Sequence, residues 1–237
     1  MKTINLCEKK KTADFWVTAV FIILEAILYC LFMTIDLKGY KDTTLLKYIA
    51  ICLCLAYATL RLTKNGIDSL IIFLALTFTV LSDTFTLLIN DHFTLGVSLF
   101  IPAQLLYGLR IRFWAKKPLY KSIFIRFCVV LAVVIGVACA QIADSLTVVT
   151  AIYFSMLLYN GIESLFFAKS PNKIAFAIGL WLFICCDICV GLFNLTDVLG
   201  VAINPKLYNF ASVMMWGFYL PSQALIVTSV KVENHKI

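Results

Sequence analysis

A chain of 237 residues that is 62% apolar and only 14% charged departs from the about 45–50% and about 25% of soluble domains. A water-soluble fold of this size has no interior able to hide so much apolar surface, so a bilayer must be its solvent. The net charge of +7 follows from membrane topology, as the loops show below, and calls for no nucleic-acid partner.

The opening MKTINLCEKKKTADFW does not have the form of a cleaved signal peptide. The apolar run after it is long enough to span, and no small-residue cleavage site follows. From there the apolar stretches fall at 15–35, 45–62, 67–89, 94–113, 122–142, 146–168, 173–194 and 208–230. Each suits a helix crossing a hydrocarbon core of about 30 Å. The expected fold is therefore all-α, a polytopic transmembrane bundle of eight spanning helices forming one domain over 1–237. The second stretch is the shortest.

The breaks between them hold the charges and turn formers: Gly39, Lys64-Asn65-Gly66, Asn90-Asp91-His92, Lys116-Lys117-Pro118, Ser170-Pro171-Asn172 and Asn204-Pro205-Lys206. Eight crossings put sixteen of the twenty Lys and Arg on one side and leave Lys38, Lys41, Lys47 and Lys206 on the other. Dropping one helix would swap every later loop, so this bias supports eight spans. It predicts a multi-pass protein of the cell membrane with both termini cytoplasmic.

Polar residues inside the spans carry the functional information. A carboxylate at mid-bilayer costs about 2.5–3.5 kcal/mol on the mildest scale and normally faces a partner or a wet cavity. Glu25 lies near the middle of segment one with no Lys or Arg local to it. Glu163, near the cytoplasmic end of segment six, is expected to snorkel to water. Segment three carries Leu81-Ser82-Asp83, and segment four carries Pro102-Ala103-Gln104 and Tyr107. Segment seven carries Cys185-Cys186-Asp187, and segment eight carries Tyr219, Pro221 and Gln223.

An aspartate followed one helix later by Pro-x-Gln thus recurs four helices apart, as in a parallel four-helix repeat. At 1.5 Å per residue, Asp83 and Asp187 lie roughly 24 and 21 Å into their spans, at similar depth in the outward half. Proline frees a backbone carbonyl there, and glutamine offers donor and acceptor. The expected site joins Asp83 and Asp187 as catalytic carboxyls to Gln104, Tyr107, Tyr219, Gln223, Ser82 and Glu25 as a polar lining. Trp16, Trp114 and Trp181 read as interfacial anchors. Asn160 and Asn194 read as caps or interhelical bonds.

Two carboxyls in one low-dielectric cavity share a proton rather than both ionising, which places an acid beside a base. No Ser-His-Asp set is available, because His92 and His235 lie outside the spans. No metal or cofactor is expected either. Cys52, Cys54, Cys128 and Cys139 lie in apolar runs as small hydrophobes, and the lone Cys186-x-x-Cys189 has no second pair or nearby histidine to complete a zinc site.

Ser82-Asp83 is followed by Phe93-x-x-Gly96-x-x-x-Phe100 and Gln104-x-x-Tyr107. Later come Gly179-Leu180-Trp181-Leu182-Phe183 leading into Cys186-Asp187, and Trp216-x-x-Tyr219-x-Pro221-x-Gln223-x-Leu225. Together these motifs resemble the YhhN family of eight-helix membrane proteins, whose characterised members are lysoplasmalogenases. The resemblance implies hydrolysis of the vinyl ether of a lysophospholipid, giving a fatty aldehyde and a glycerophospho-base, with the family's two aspartates at Asp83 and Asp187. Many members have Ser-Asp where this chain has Cys186-Asp187. The competing expectations are a proton-coupled small transporter or a non-catalytic lipid-binding protein, since mid-membrane carboxylates and repeats also serve carriers. A receptor or scaffold would leave the aspartates without a task.

Overall fold

The computed structural model describes residues 2–39, 42–62, 66–115, 119–141, 144–196, 200 and 203–230, without the side chains of 2–11, 119, 121 and 122. Its helices are α1 (Lys2–Lys38), α2 (Thr44–Leu62), α3 (Gly66–Asp83), α4 (Phe93–Ala115), α5 (Leu119–Cys139), α6 (Ser145–Phe167), α7 (Pro171–Phe193) and α8 (Pro205–Thr228). Among the described residues there is no strand. Seven of the eight are long and apolar enough to cross a membrane, and α5 is apolar over Ile123–Cys139. The shortest apolar stretch of the sequence forms a full helix of 19 residues, α2.

Local chemistry sets the ends. Pro171 and Pro205 open α7 and α8, where a missing N–H costs nothing. The Asn204 side chain accepts the Lys206 N–H, and Asp144 caps α6 by accepting the Thr147 N–H at 2.8 Å. Pro221 inside α8 frees the carbonyl four residues back, that of Gly217, and the Tyr29 hydroxyl from α1 donates to it at 3.3 Å.

Burial is inverted relative to a soluble protein. Ile23, Ile27, Phe124, Phe127 and Ile178 are exposed, while Arg110, Gln104, Asn160 and Gln223 are fully buried. Ion pairs and ring contacts fix which helix ends meet. At one end, Arg61 of α2 meets Asp14 of α1, and Arg110 of α4 grips Asp68 of α3 and Ser229 beyond α8. Lys173 of α7 lies over Trp114 of α4 at that same end. At the other, Lys47 of α2 pairs with Asp36 of α1, Tyr48 meets Thr84, and Phe193 of α7 stacks on Tyr208 of α8. Glu163 near the end of α6 meets Arg112 of α4 and Arg126 of α5 at the first end, so the eight helices alternate in direction, with a basic end that holds the arginines.

The packing order repeats with a shift of four helices. Contacts α1–α2, α2–α3 and α3–α4 recur as α5–α6, α6–α7 and α7–α8, and the contact of α4 with α6 has its counterpart in that of α8 with α2.

Two expectations are corrected, those for Glu163 and Trp181. Segment three is one span over Gly66–Ile89 as expected, and within it α3 widens into a π-helical stretch, Thr84–Ile89, directly after Asp83, closed by Asn90 at φ 54°. Thr84 and Thr86 turn their hydroxyls back onto the carbonyls of Val80 and Ser82 there. Glu163 does not snorkel: it is 7% exposed and takes ion pairs from both Arg112 and Arg126, because the end of α4 and the start of α5 converge on it. Trp181 is no interfacial anchor. It sits mid-way along α7, with its ring near Gly161 and its Nε1 buried. Trp16, by contrast, is 61% exposed, and Trp114 packs inward between Arg110 and Phe176.

Candidate functional site

The two aspartates occupy one site, each held by a tyrosine. Asp83, buried at the end of α3, accepts the Tyr219 hydroxyl of α8 at 2.6 Å. Asp187, half-buried on α7, accepts the Tyr153 hydroxyl of α6 at 2.6 Å. Phe183, one turn before Asp187, lies between the two tyrosines, its ring 5.4 Å from that of Tyr219 and 6.3 Å from that of Tyr153. Phe100 of α4 stacks on Tyr153 at 5.1 Å and meets Phe183 edge-on. Both carboxyls lie within electrostatic reach of Tyr153 and of the Cys186 thiol. O–H···O bonds this short are typical of a charged or proton-sharing acceptor.

The turn carrying Asp83 is anchored on two sides. The Ser82 hydroxyl donates to the Gly96 carbonyl at 2.6 Å, so this expected lining residue is engaged between helices. Gly96 permits the approach: a Cβ there would come within 2.5 Å of the Thr86 methyl. On the other side Tyr48 of α2 meets Thr84 at 2.9 Å, and Cys52 lies within electrostatic reach of Asp83.

Towards the basic end, the remaining expected residues form a second polar layer. Gln104 is fully buried, and its carbonyl and side-chain oxygens both accept from the Asn160 amide of α6, at 2.8 and 2.9 Å. The Tyr107 hydroxyl lies beside Thr79, one turn below Asp83, and near Cys54. Glu25 of α1 takes the Cys54 thiol at 3.3 Å, so it belongs to this layer and not to the aspartate pair. Gln223 contacts Ser222 through Nε2.

This layer holds an excess of polar capacity. Gln104 Nε2, Asn160 Oδ1, Tyr107 Oη, Gln223 Oε1 and Glu25 Oε2 are all buried without a protein hydrogen-bond partner. Each such group costs about 1–3 kcal/mol when it has no hydrogen-bond partner at all. Among the described residues no group of three His, Cys, Asp or Glu is placed to hold a metal ion.

Sequence reasoning missed Tyr153, which holds Asp187, and Tyr48 with Thr84 at the Asp83 turn. Tyr153 carries no spacing signal in an apolar helix. Its counterpart Tyr219 stands out in the sequence through Pro221 and Gln223 nearby.

The fold defines a multi-pass helical membrane protein, with two tyrosine-held carboxyls near one another among its helices. A sequence model of the YhhN family matches residues 42–230, and the chain belongs to that family. The match takes in α2 to α8 and with them both aspartates, and it begins after α1 and Glu25. No curated protein and no solved structure matches the chain significantly.

Proposed function

We propose that the protein is a membrane-embedded hydrolase that cleaves the vinyl ether bond of lysoplasmalogens, using Asp83 and Asp187 as acid and base. The observation that carries this reading is the pair of tyrosine-held carboxyls joined through Phe183. The resemblance to lysoplasmalogenases supplies the substrate class.

A vinyl ether hydrolyses by protonation at carbon. One carboxyl, in its acid form, gives its proton to the vinyl carbon remote from oxygen, leaving an oxocarbenium ion. The other carboxylate takes a proton from water as that water bonds to the cationic carbon. The hemiacetal then breaks: the newly protonated carboxyl protonates the departing glycerol oxygen, and the first carboxylate takes the proton of the hemiacetal hydroxyl. Aldehyde and glycerophospho-base leave, and both groups return to their starting states. The tyrosine hydroxyls orient the carboxyls, and Gln104, Tyr107 and Gln223 hold water beneath them. On the positive-inside bias we read the basic end and both termini as cytoplasmic in a cell-membrane protein, with the aspartates in the outward half.

The test is aldehyde release from lysoplasmenylethanolamine by detergent-purified protein beside its Asp83→Asn and Asp187→Asn variants. Release by the wild type and its loss in both variants supports the assignment. Unchanged release in both refutes it.

One observation favours a second reading, a proton-coupled carrier: Glu25 is a further buried carboxyl in the middle of a span, and one of its oxygens has no hydrogen-bond partner. Solute uptake into proteoliposomes driven by a pH gradient, without aldehyde release, would establish that reading instead.

A further inference from the structure

We infer that the Lys47–Asp36 ion pair, with the face of Trp216 beside it, recognises the zwitterionic phosphodiester headgroup of the lipid whose ether reaches Asp83 and Asp187. The inference rests on the lysoplasmalogen reading and adds the residues that select the headgroup. Lys47, in the first turn of α2, lies at the end of the bundle nearer the aspartates. Its Nζ is 2.7 Å from Asp36 Oδ2, 5.1 Å from the Trp216 ring centre and 5.8 Å from that of Phe32.

These contacts lead directly to the site. Trp216 meets Tyr219 edge-on at 5.3 Å, and Tyr219 holds Asp83. The residue after Lys47, Tyr48, bonds Thr84, the residue after Asp83. In a lysoplasmalogen, six bonds separate the ether-bearing vinyl carbon from phosphorus, roughly 7–8 Å extended. A phosphate at Lys47 therefore leaves the vinyl group at the level of Tyr219 and Asp83.

The pair suits a zwitterion and not a simple anion. The Lys47 and Asp36 side chains are 12% and 13% exposed, enclosed yet reachable. A phosphodiester can replace Asp36 as the acceptor of the Lys47 ammonium, while the lipid's own ammonium takes the vacated carboxylate and the indole face. Thr43 keeps Asp36 oriented by donating to its other oxygen, and Asp42 adds negative charge near Lys47. A lipid with phosphate but no cation would leave Asp36 buried beside it unpaired, which disfavours it.

Kinetics with two substrates tests this on the full detergent-purified chain: lysoplasmenylethanolamine and 1-alkenylglycerol, the same ether without phosphate. Lys47→Gln is expected to raise KM for the phospholipid about tenfold, hold kcat within about twofold, and leave alkenylglycerol unaffected. Lys47→Arg keeps the cation and retains both substrates. Trp216→Phe, which keeps a ring against Tyr219 and leaves the ion pair between α1 and α2 intact, weakens the contact with the cation and raises KM for the phospholipid more than for alkenylglycerol. A pair that merely ties two helices together would change both substrates equally or neither, and either result overturns the inference. Binding of the saturated ether analogue, which cannot be hydrolysed, separates this site from the chemistry. Tight binding by the wild type and its loss in Lys47→Gln supports the headgroup site even if no aldehyde is released. Equal binding by both overturns it.

Discussion

The Tyr219 hydroxyl donates to Asp83 Oδ2 at 2.6 Å across 136 residues of chain. Asp187 receives an equally short bond, from Tyr153. The two arrangements are similar in chemistry and different in origin. Tyr219 comes from α8, in the opposite half of the chain from Asp83, whereas Tyr153 comes from α6, in the same half as Asp187. Asp83 is buried and Asp187 half-buried, so the two carboxyls are not interchangeable even though the helices around them pack in the same order.

On the proposed hydrolysis, that relationship predicts coupled losses: Asp83→Asn and Asp187→Asn should each lower kcat for ether cleavage about 10²–10⁴-fold. Tyr219→Phe and Tyr153→Phe keep the carboxyls but remove their orientation, and should lower kcat about tenfold or more with KM nearly unchanged. The Tyr219→Phe, Asp83→Asn double variant should be no slower than Asp83→Asn alone, because the hydroxyl acts only through that carboxyl. Additive losses in aldehyde release would mean that Tyr219 has a separate task.

Much of this was legible from residue chemistry. Charges such as Lys64 and Lys116 punctuate apolar stretches, and that alone places eight helices in alternating directions. Asp83 and Asp187 are conspicuous because carboxyls are rare at such depth. The rest depends on which faces meet in space. Tyr153 looks like any aromatic in an apolar helix, and only the packing of α6 on α7 turns it towards Asp187. Glu163 has its partners 37 and 51 positions earlier, at Arg126 and Arg112, a separation that helical periodicity does not report. The π-helical widening after Asp83 lies where two threonines bond back to carbonyls and Gly96 approaches closely, a juxtaposition with no one-dimensional signature.

Gly96 is expected to tolerate no side chain. A Cβ would lie 2.5 Å from the Thr86 methyl and 3.3 Å from Phe85 Cβ. Thr86 is stiff at χ1 and already bonded to the Ser82 carbonyl. Gly96→Ala should therefore destabilise the protein by about 1–3 kcal/mol and disturb the Ser82 bond that anchors the Asp83 turn. Ser82→Ala, which removes that bond alone, should cost about 1 kcal/mol. Thermal unfolding in detergent reads both, and a Gly96→Ala protein as stable as wild type would refute the close approach.

Glu163 is the only carboxylate in contact with both Arg112 and Arg126 among the described residues. Arg126 lies so close to Gly108 that a Cβ there would be 2.9 Å from its guanidinium carbon. Glu163→Gln takes from two arginine side chains, each 11% exposed, the negative charge they share, and should destabilise the protein by about 3 kcal/mol. Lys169→Gln, nearby and exposed, should change stability by no more than about 0.5 kcal/mol. Equal, small effects from both substitutions would show that Glu163 is solvated after all.

The cap of α6 predicts a local dependence on pH. Asp144 lies outside the spanning segment, and the backbone N–H and then the hydroxyl of Thr147 hold its carboxyl below the usual range. A carboxyl whose pKa is depressed on folding stabilises the fold above its unfolded value, about 3.9, and loses that contribution as pH falls through the folded value. Hydrogen exchange in the first turn of α6, corrected for the intrinsic rate, should therefore stay slow near neutral pH. It should accelerate only once the pH drops below the ordinary carboxylate range. In Asp144→Ala the same amides should exchange fast at every pH, because the acceptor that titrates is gone. Acceleration that begins well above about pH 4 in the wild type would show that the Thr147 bonds do not favour the charged form.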